Sequence, residues 1–162
     1  MRLSHFARLG FGLSLGLGAA LATGACSDDG DEDDLSYNCA TETRADEFVL
    51  GLTKPGESGR YMFKLVGADP APPARGDNSW VLGVETTASP AAPVTGAPMT
   101  VTPFMPDHEH GSGKTVTITP MTNAGEYKLE PVNLWMPGLW EVTVQVTGAQ
   151  SDRAVFRFCL PS

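Results

Sequence analysis

The chain has no long hydrophobic run. The apolar run near its start, Leu9 to Ala22, is uncharged but only about 14 residues, where a membrane-spanning helix needs about 20. Helical periodicity is nearly absent as well. Histidine is scarce: three in 162 residues, one of them His5 near the start. Past the first 25 residues there is no Gly-X-Ser-X-Gly, no third histidine and no second His-containing metal motif, so hydrolase readings fail. Basic residues are few. Arg2 and Arg8 fall in the leader, leaving nine of the 11 Lys+Arg against all 19 Asp+Glu, a formal charge of −10 with His neutral. Nucleic acid and anionic lipid surfaces are therefore not expected partners.

What is present begins with a secretory leader. Arg2, His5 and Arg8 precede the apolar stretch, and Thr23-Gly24-Ala25 leads into Cys26. Gly24-Ala25-Cys26 resembles the bacterial lipobox, with Thr23 where Leu is usual; the alternative is ordinary signal cleavage with Cys26 a plain thiol. Residues 1-25 are thus expected to be a lipoprotein signal peptide and Cys26 the lipidation site. The lipid would hold the protein at the membrane of a bacterial cell envelope, the outer membrane being favoured by Ser27. Residues 26-36 carry six acids in the eight positions Ser27 to Asp34, a self-repelling tether with nothing to bury.

Residues 37-162 are enough for one domain with its own core. Two cysteines remain, Cys39 near its start and Cys159 near its end. In an oxidising compartment an even pair reads as a disulfide; the alternative is a pair of metal thiolates. Short runs of β-branched and aromatic residues alternate with polar ones between Gly, Pro, Asn and Asp. That pattern predicts an all-β, antiparallel β-sandwich. Predicted strands cover Glu47 to Leu52, Tyr61 to Val66, Ser79 to Thr86 and Met99 to Phe104. Others cover Lys114 to Thr119, Tyr127 to Pro131, Leu139 to Thr147 and Ala154 to Cys159. The Pro-rich stretch Asp69 to Asn78 is expected as a crossing loop, and Trp80 as the central anchor between the sheets. Strict alternation puts Cys159 on the Arg157 face, so a staple there is expected to need a twist or bulge.

The candidate site is Met105-Pro106-Asp107-His108-Glu109-His110-Gly111. On an extended backbone, residues i and i+2 share a side, so His108 and His110 would offer two imidazoles to one point. The thioethers of Met105 and Met136 would soften such a site towards copper(I). The other reading is an exposed polar loop with both methionines packed in the core. A cupredoxin site needs a His and a Met soon after its Cys, and Cys159 is followed only by Leu160-Pro161-Ser162. Trp135 and Trp140, flanking Met136-Pro137-Gly138, could form a carbohydrate platform or could be core.

From about Gly59 to Phe158 the chain resembles the YtkA-like domain, related to FixH-type periplasmic domains. The resemblance rests on Gly59-Arg60-Tyr61, on Gly76-Asp77-Asn78 before the Trp80 strand, and on Met105 to Gly111. It continues through Gly125-Glu126-Tyr127 into Met136-Pro137-Gly138-Leu139-Trp140-Glu141-Val142. It implies an exported immunoglobulin-like β-sandwich without an assigned catalytic activity. FixH-type relatives are associated with copper and with respiratory oxidase assembly, so it also implies copper as the metal. FixH-type proteins carry a transmembrane anchor, and the expected lipid takes its place here.

Overall fold

The computed structural model describes residues 37–148 and 150–162. The leader, the acidic tether and Cys26 lie outside the described residues. Within them nine strands form two antiparallel sheets. The strands are β1 (Thr53–Pro55), β2 (Tyr61–Asp69), β3 (Gly76–Thr86), β4 (Met99–Met105) and β5 (His110–Gly111), followed by β6 (Thr117–Pro120), β7 (Glu126–Leu134), β8 (Gly138–Val146) and β9 (Asp152–Leu160). One sheet runs β1-β2-β3-β7-β6 and the other β5-β4-β8-β9. The longer strands reproduce the A-B-E-D and C-F-G orders of an immunoglobulin constant-type sandwich, with β1 and β5 added at the sheet edges.

Period-two patterning builds the core. On β8, Trp140, Val142, Val144 and Val146 are buried while Glu141, Thr143 and Gln145 are half-exposed. Burying each of those valines contributes about 1.5–3 kcal/mol before entropy is counted. Tyr61, Phe63 and Leu65 of β2 and Trp80, Leu82 and Val84 of β3 face them from the other sheet. Trp80 is fully buried as expected, its ring edge-on to Phe158 at 5.5 Å.

Several expectations need correction. Glu47 to Leu52 is not a strand. Asp46 instead pairs with the β9 edge, its N–H donating to the Arg157 carbonyl and its carboxylate accepting from the Arg157 N–H, each at 2.8 Å. The chain then turns at Gly51, whose φ of +93° suits glycine. Asp69 to Asn78 does not cross between sheets: β2 and β3 are hydrogen-bonded neighbours with Asp69 opposite Ser79. Gly76-Asp77-Asn78 already belongs to β3, and the buried Asn78 amide ties Ala74 to Val132. Pro131 does not continue the Tyr127–Leu129 row. A register shift opposite Asn78 and Trp80 puts one extra residue in β7, and Val132 and Leu134 take the inward places. A bulge is also where a strand tolerates proline, which has no N–H for the ladder. The strand expected from Lys114 starts only at Thr117, after a bend at Gly113-Lys114 where the Lys114 side chain pairs with Asp77.

Two non-local ties join the ends of the domain. Cys39 and Cys159 form a disulfide with a Cα–Cα distance of 5.6 Å, so the thiolate alternative is set aside. No bulge is needed, since the β8–β9 register is unbroken. Cys159 stays on the outer face, and the amino-terminal segment comes to it there. The second tie is Asp152, 4% exposed at the start of β9. Its Oδ1 accepts N–H bonds from Ser58 (2.7 Å) and Arg153 (2.9 Å), its Oδ2 from Arg60 (2.8 Å) and Tyr61 (3.1 Å). Burial pushes the carboxyl's pKa up, but these four backbone donors outweigh it and hold the value below normal. The clasp fastens the β1–β2 turn of one sheet to the other sheet.

Candidate metal-binding site

The site is built where β4 turns back into β5. Met105 ends β4 with its side chain fully buried. Pro106 to Glu109 make the turn, and Met105 pairs in register with His110. The turn is not extended, so the i, i+2 argument for the histidines does not hold as stated. Glu109 has φ +54°, a left-handed conformation that a β-carbon disfavours. The rings meet all the same, by way of the hairpin: the His108 and His110 centroids are 5.8 Å apart and tilted by 50°.

Residues opposite one another in an antiparallel pair point to the same face. His110 therefore lies on the inward side with Met105. Across β4, Phe104 pairs with Glu141, so Trp140 is the next residue along β8 on that inward side. The His110 ring meets Trp140 edge-on at 6.3 Å and stacks on Trp135 at 5.4 Å and 22°. His110 Nδ1 lies 3.2 Å from the Gly111 carbonyl. With the proton on Nδ1, Nε2 keeps its lone pair for a ligand.

The second loop closes over the same end. Met136 is half-buried against the core, and its carbonyl accepts the Trp140 indole N–H at 3.0 Å. Gly138 has φ +122°, and a β-carbon there would sit 2.8 Å from the Met105 methyl. Met105 is thus packed beneath the Met136-Pro137-Gly138 turn. The two Met-Pro segments share one end of the sandwich. The double-tryptophan platform is not formed: Trp140 is fully buried, whereas Trp135 is 47% exposed and faces His110.

Asp107 and Glu109 do not complete a ligand set. Among the described residues no three His, Cys, Asp or Glu side chains are grouped to hold a metal. Asp107 is engaged by Arg44, which donates from Nη1 at 2.7 Å and from Nη2 at 2.6 Å. The Arg44 bonds hold the Asp107 carboxyl below its usual range. Arg44 also binds Glu42, whose carboxyl is held down to about 2 by Arg44 first and then by Tyr37. The Tyr37 hydroxyl donates to Glu42 at 2.6 Å and is pushed up to about 12, chiefly by that bond. Tyr37, Glu42 and Arg44 were not legible as site residues, since they lie over 60 residues from the turn they hold. The structure brings the two imidazoles together and sets Met105 in register with His110; imidazole with thioether is a donor type that fits copper better than a hard cation.

Comparison with known proteins adds one finding. A family model described as YtkA-like matches residues 56–145. No curated protein and no solved structure matches the chain. The matched span holds both Met-Pro segments; it leaves out the amino-terminal segment that carries Arg44, and all of β9.

Proposed function

The chain belongs to the YtkA-like family, and from that premise we propose that it is a lipid-anchored, non-enzymatic copper-binding module of a bacterial cell envelope. The observation that carries this reading is the His108–His110 pair. Two imidazoles 5.8 Å apart on one hairpin can converge on one ion, and a buried thioether lies in register with one of them. Imidazole with thioether is a soft to borderline set that suits copper, above all copper(I). His108 and His110 would be the primary ligands, Met105 the third and Met136 a fourth. On this reading the chain sequesters copper or hands it on.

The full mature chain, titrated with copper(I) against a competing chelator, is expected to bind about one ion. His108→Ala/His110→Ala should abolish that binding while leaving the far-ultraviolet spectrum unchanged. Stoichiometric binding that survives the double substitution removes the proposed site. No binding by wild type in either oxidation state favours a structural or protein-interaction sandwich.

Anchoring rests on Gly24-Ala25-Cys26 and the acidic tether after it. Growth with labelled palmitate should mark the wild type and not Cys26→Ala. An unlabelled wild type ends the lipoprotein reading.

A further inference from the structure

We infer that Arg44 is a positioning residue for the His108–His110 pair, holding their turn from a strap that runs over the end of the sandwich. This rests on the copper reading of that pair. The strap is the segment from Tyr37 to Asp46. It is tied to β9 by the Cys39–Cys159 disulfide and by the backbone pairing of Asp46 with Arg157. Between those two ties Arg44 projects onto the turn.

Arg44 fits the two-pronged geometry that only a guanidinium supplies. Its two terminal nitrogens grip Asp107, the residue before His108, while Nε binds Glu42 at 2.9 Å. Glu42 and the Tyr37 hydroxyl fix the guanidinium in turn, and that hydroxyl also lies 3.3 Å from Asp107 Oδ2. The Tyr37 ring reaches the second loop, passing 3.6 Å from where a Gly138 β-carbon would stand, the same point the Met105 methyl approaches. The strap therefore touches both loops of the site. The turn is closed at its ends by the Met105–His110 pair and the His110 ring contacts, and Arg44 holds its middle. Its own backbone bond, His108 N–H to the Met105 carbonyl, is a long 3.3 Å, and Glu109 sits in a disfavoured conformation.

Positioning and charge predict opposite signs. Removing a cation and freeing a carboxylate beside a copper ion should favour binding by Coulomb's law. If Arg44 acts by holding the turn, its removal should weaken binding instead. The test compares wild type, Arg44→Ala and Asp107→Ala, both as copper(I) affinity and as metal-free amide exchange across residues 105–111. Both variants should exchange faster at His108 and lose about tenfold in affinity, the low end for groups that orient ligands. The double variant should be no worse than either single one. Tighter or unchanged binding in Arg44→Ala, or weaker binding without faster exchange, overturns the inference while leaving the metal site standing. A wild type that binds no copper overturns the metal site and this inference together.

Discussion

Replacing Cys39 and Cys159 together by alanine is expected to cost about 4–5 kcal/mol of stability, which for a domain of this size is a fall in Tm of roughly 15 °C or more. The size follows from the loop, since the bond joins residues 120 apart. A crosslink that spans nearly the whole domain removes much of the freedom of the unfolded chain, and the cost of closing such a loop rises with its length. The folded state should lose little outside the strap. The β8–β9 ladder does not depend on the bond, and Asp46 still pairs with Arg157. Calorimetry of the oxidised wild type and the double variant gives the difference directly. Amide exchange should rise first in residues 37–45, between the broken tie and the Asp46 pairing. A loss under about 1 kcal/mol would mean that the unfolded chain is already compact enough to gain nothing from the bond.

The second large effect is at Asp152. Its carboxylate accepts four backbone N–H bonds, two from the turn that joins β1 to β2 and one from Tyr61 at the start of β2. Bonds to a charged group are worth about 1.5–3 kcal/mol each, and desolvation of the carboxylate takes back a large share. Asp152→Ala should therefore destabilise the fold by about 3 kcal/mol. Asp152→Asn should recover little of that, because each oxygen serves two donors and an amide must turn its NH2 towards one pair. Gly56 supplies an independent check. A β-carbon on Gly56 would stand 2.1 Å from Asp152 Oδ2, so Gly56→Ala cannot coexist with the clasp. Alone it should cost nearly as much as Asp152→Ala; in the Asp152→Ala background it should cost almost nothing. Additive losses in urea unfolding would refute the clasp. The pH dependence has a fixed sign. The folded carboxyl titrates below the unfolded value of about 3.9, so the contribution is complete above that pH and is lost as pH falls through the folded value. Asp152→Ala should flatten the acid limb of the stability curve.

The sequence carried the strands where burial alternates without interruption. β8 and the inward rows of β2 and β3 could be read from their own residues. It misled where a non-local partner changed the local rule. Glu47 to Leu52 has strand composition, yet Asp46 docks on β9 and the chain turns before the run can pair. Pro131 looked like part of the β7 row, but the extra residue there shifts the inward face to Val132. The disulfide was legible from the even cysteine pair and the expected oxidising compartment. The bulge expected beside it was not needed, because the amino-terminal segment approaches from the outer face. The His-X-His geometry was legible only as a composition: the rings meet through a turn, where the sequence argument assumed an extended strand.

By itself, then, the sequence determined the class of fold, the faces of its longer strands, the cysteine pair and the residues able to donate to a metal. These depend on neighbours within a few positions, where a period of two separates the two faces of a strand. Only the tertiary structure decided that Met105, His110, Trp135 and Gly138 share one end of the sandwich. That follows from β4 lying beside β8, a pairing of strands distant in sequence. It also decided that Arg44 grips Asp107 across 63 residues and that Asp152 gathers three of its four donors across more than 90. Charge and hydrogen-bond partners leave no periodic trace in a chain, and these became visible only when the sandwich closed.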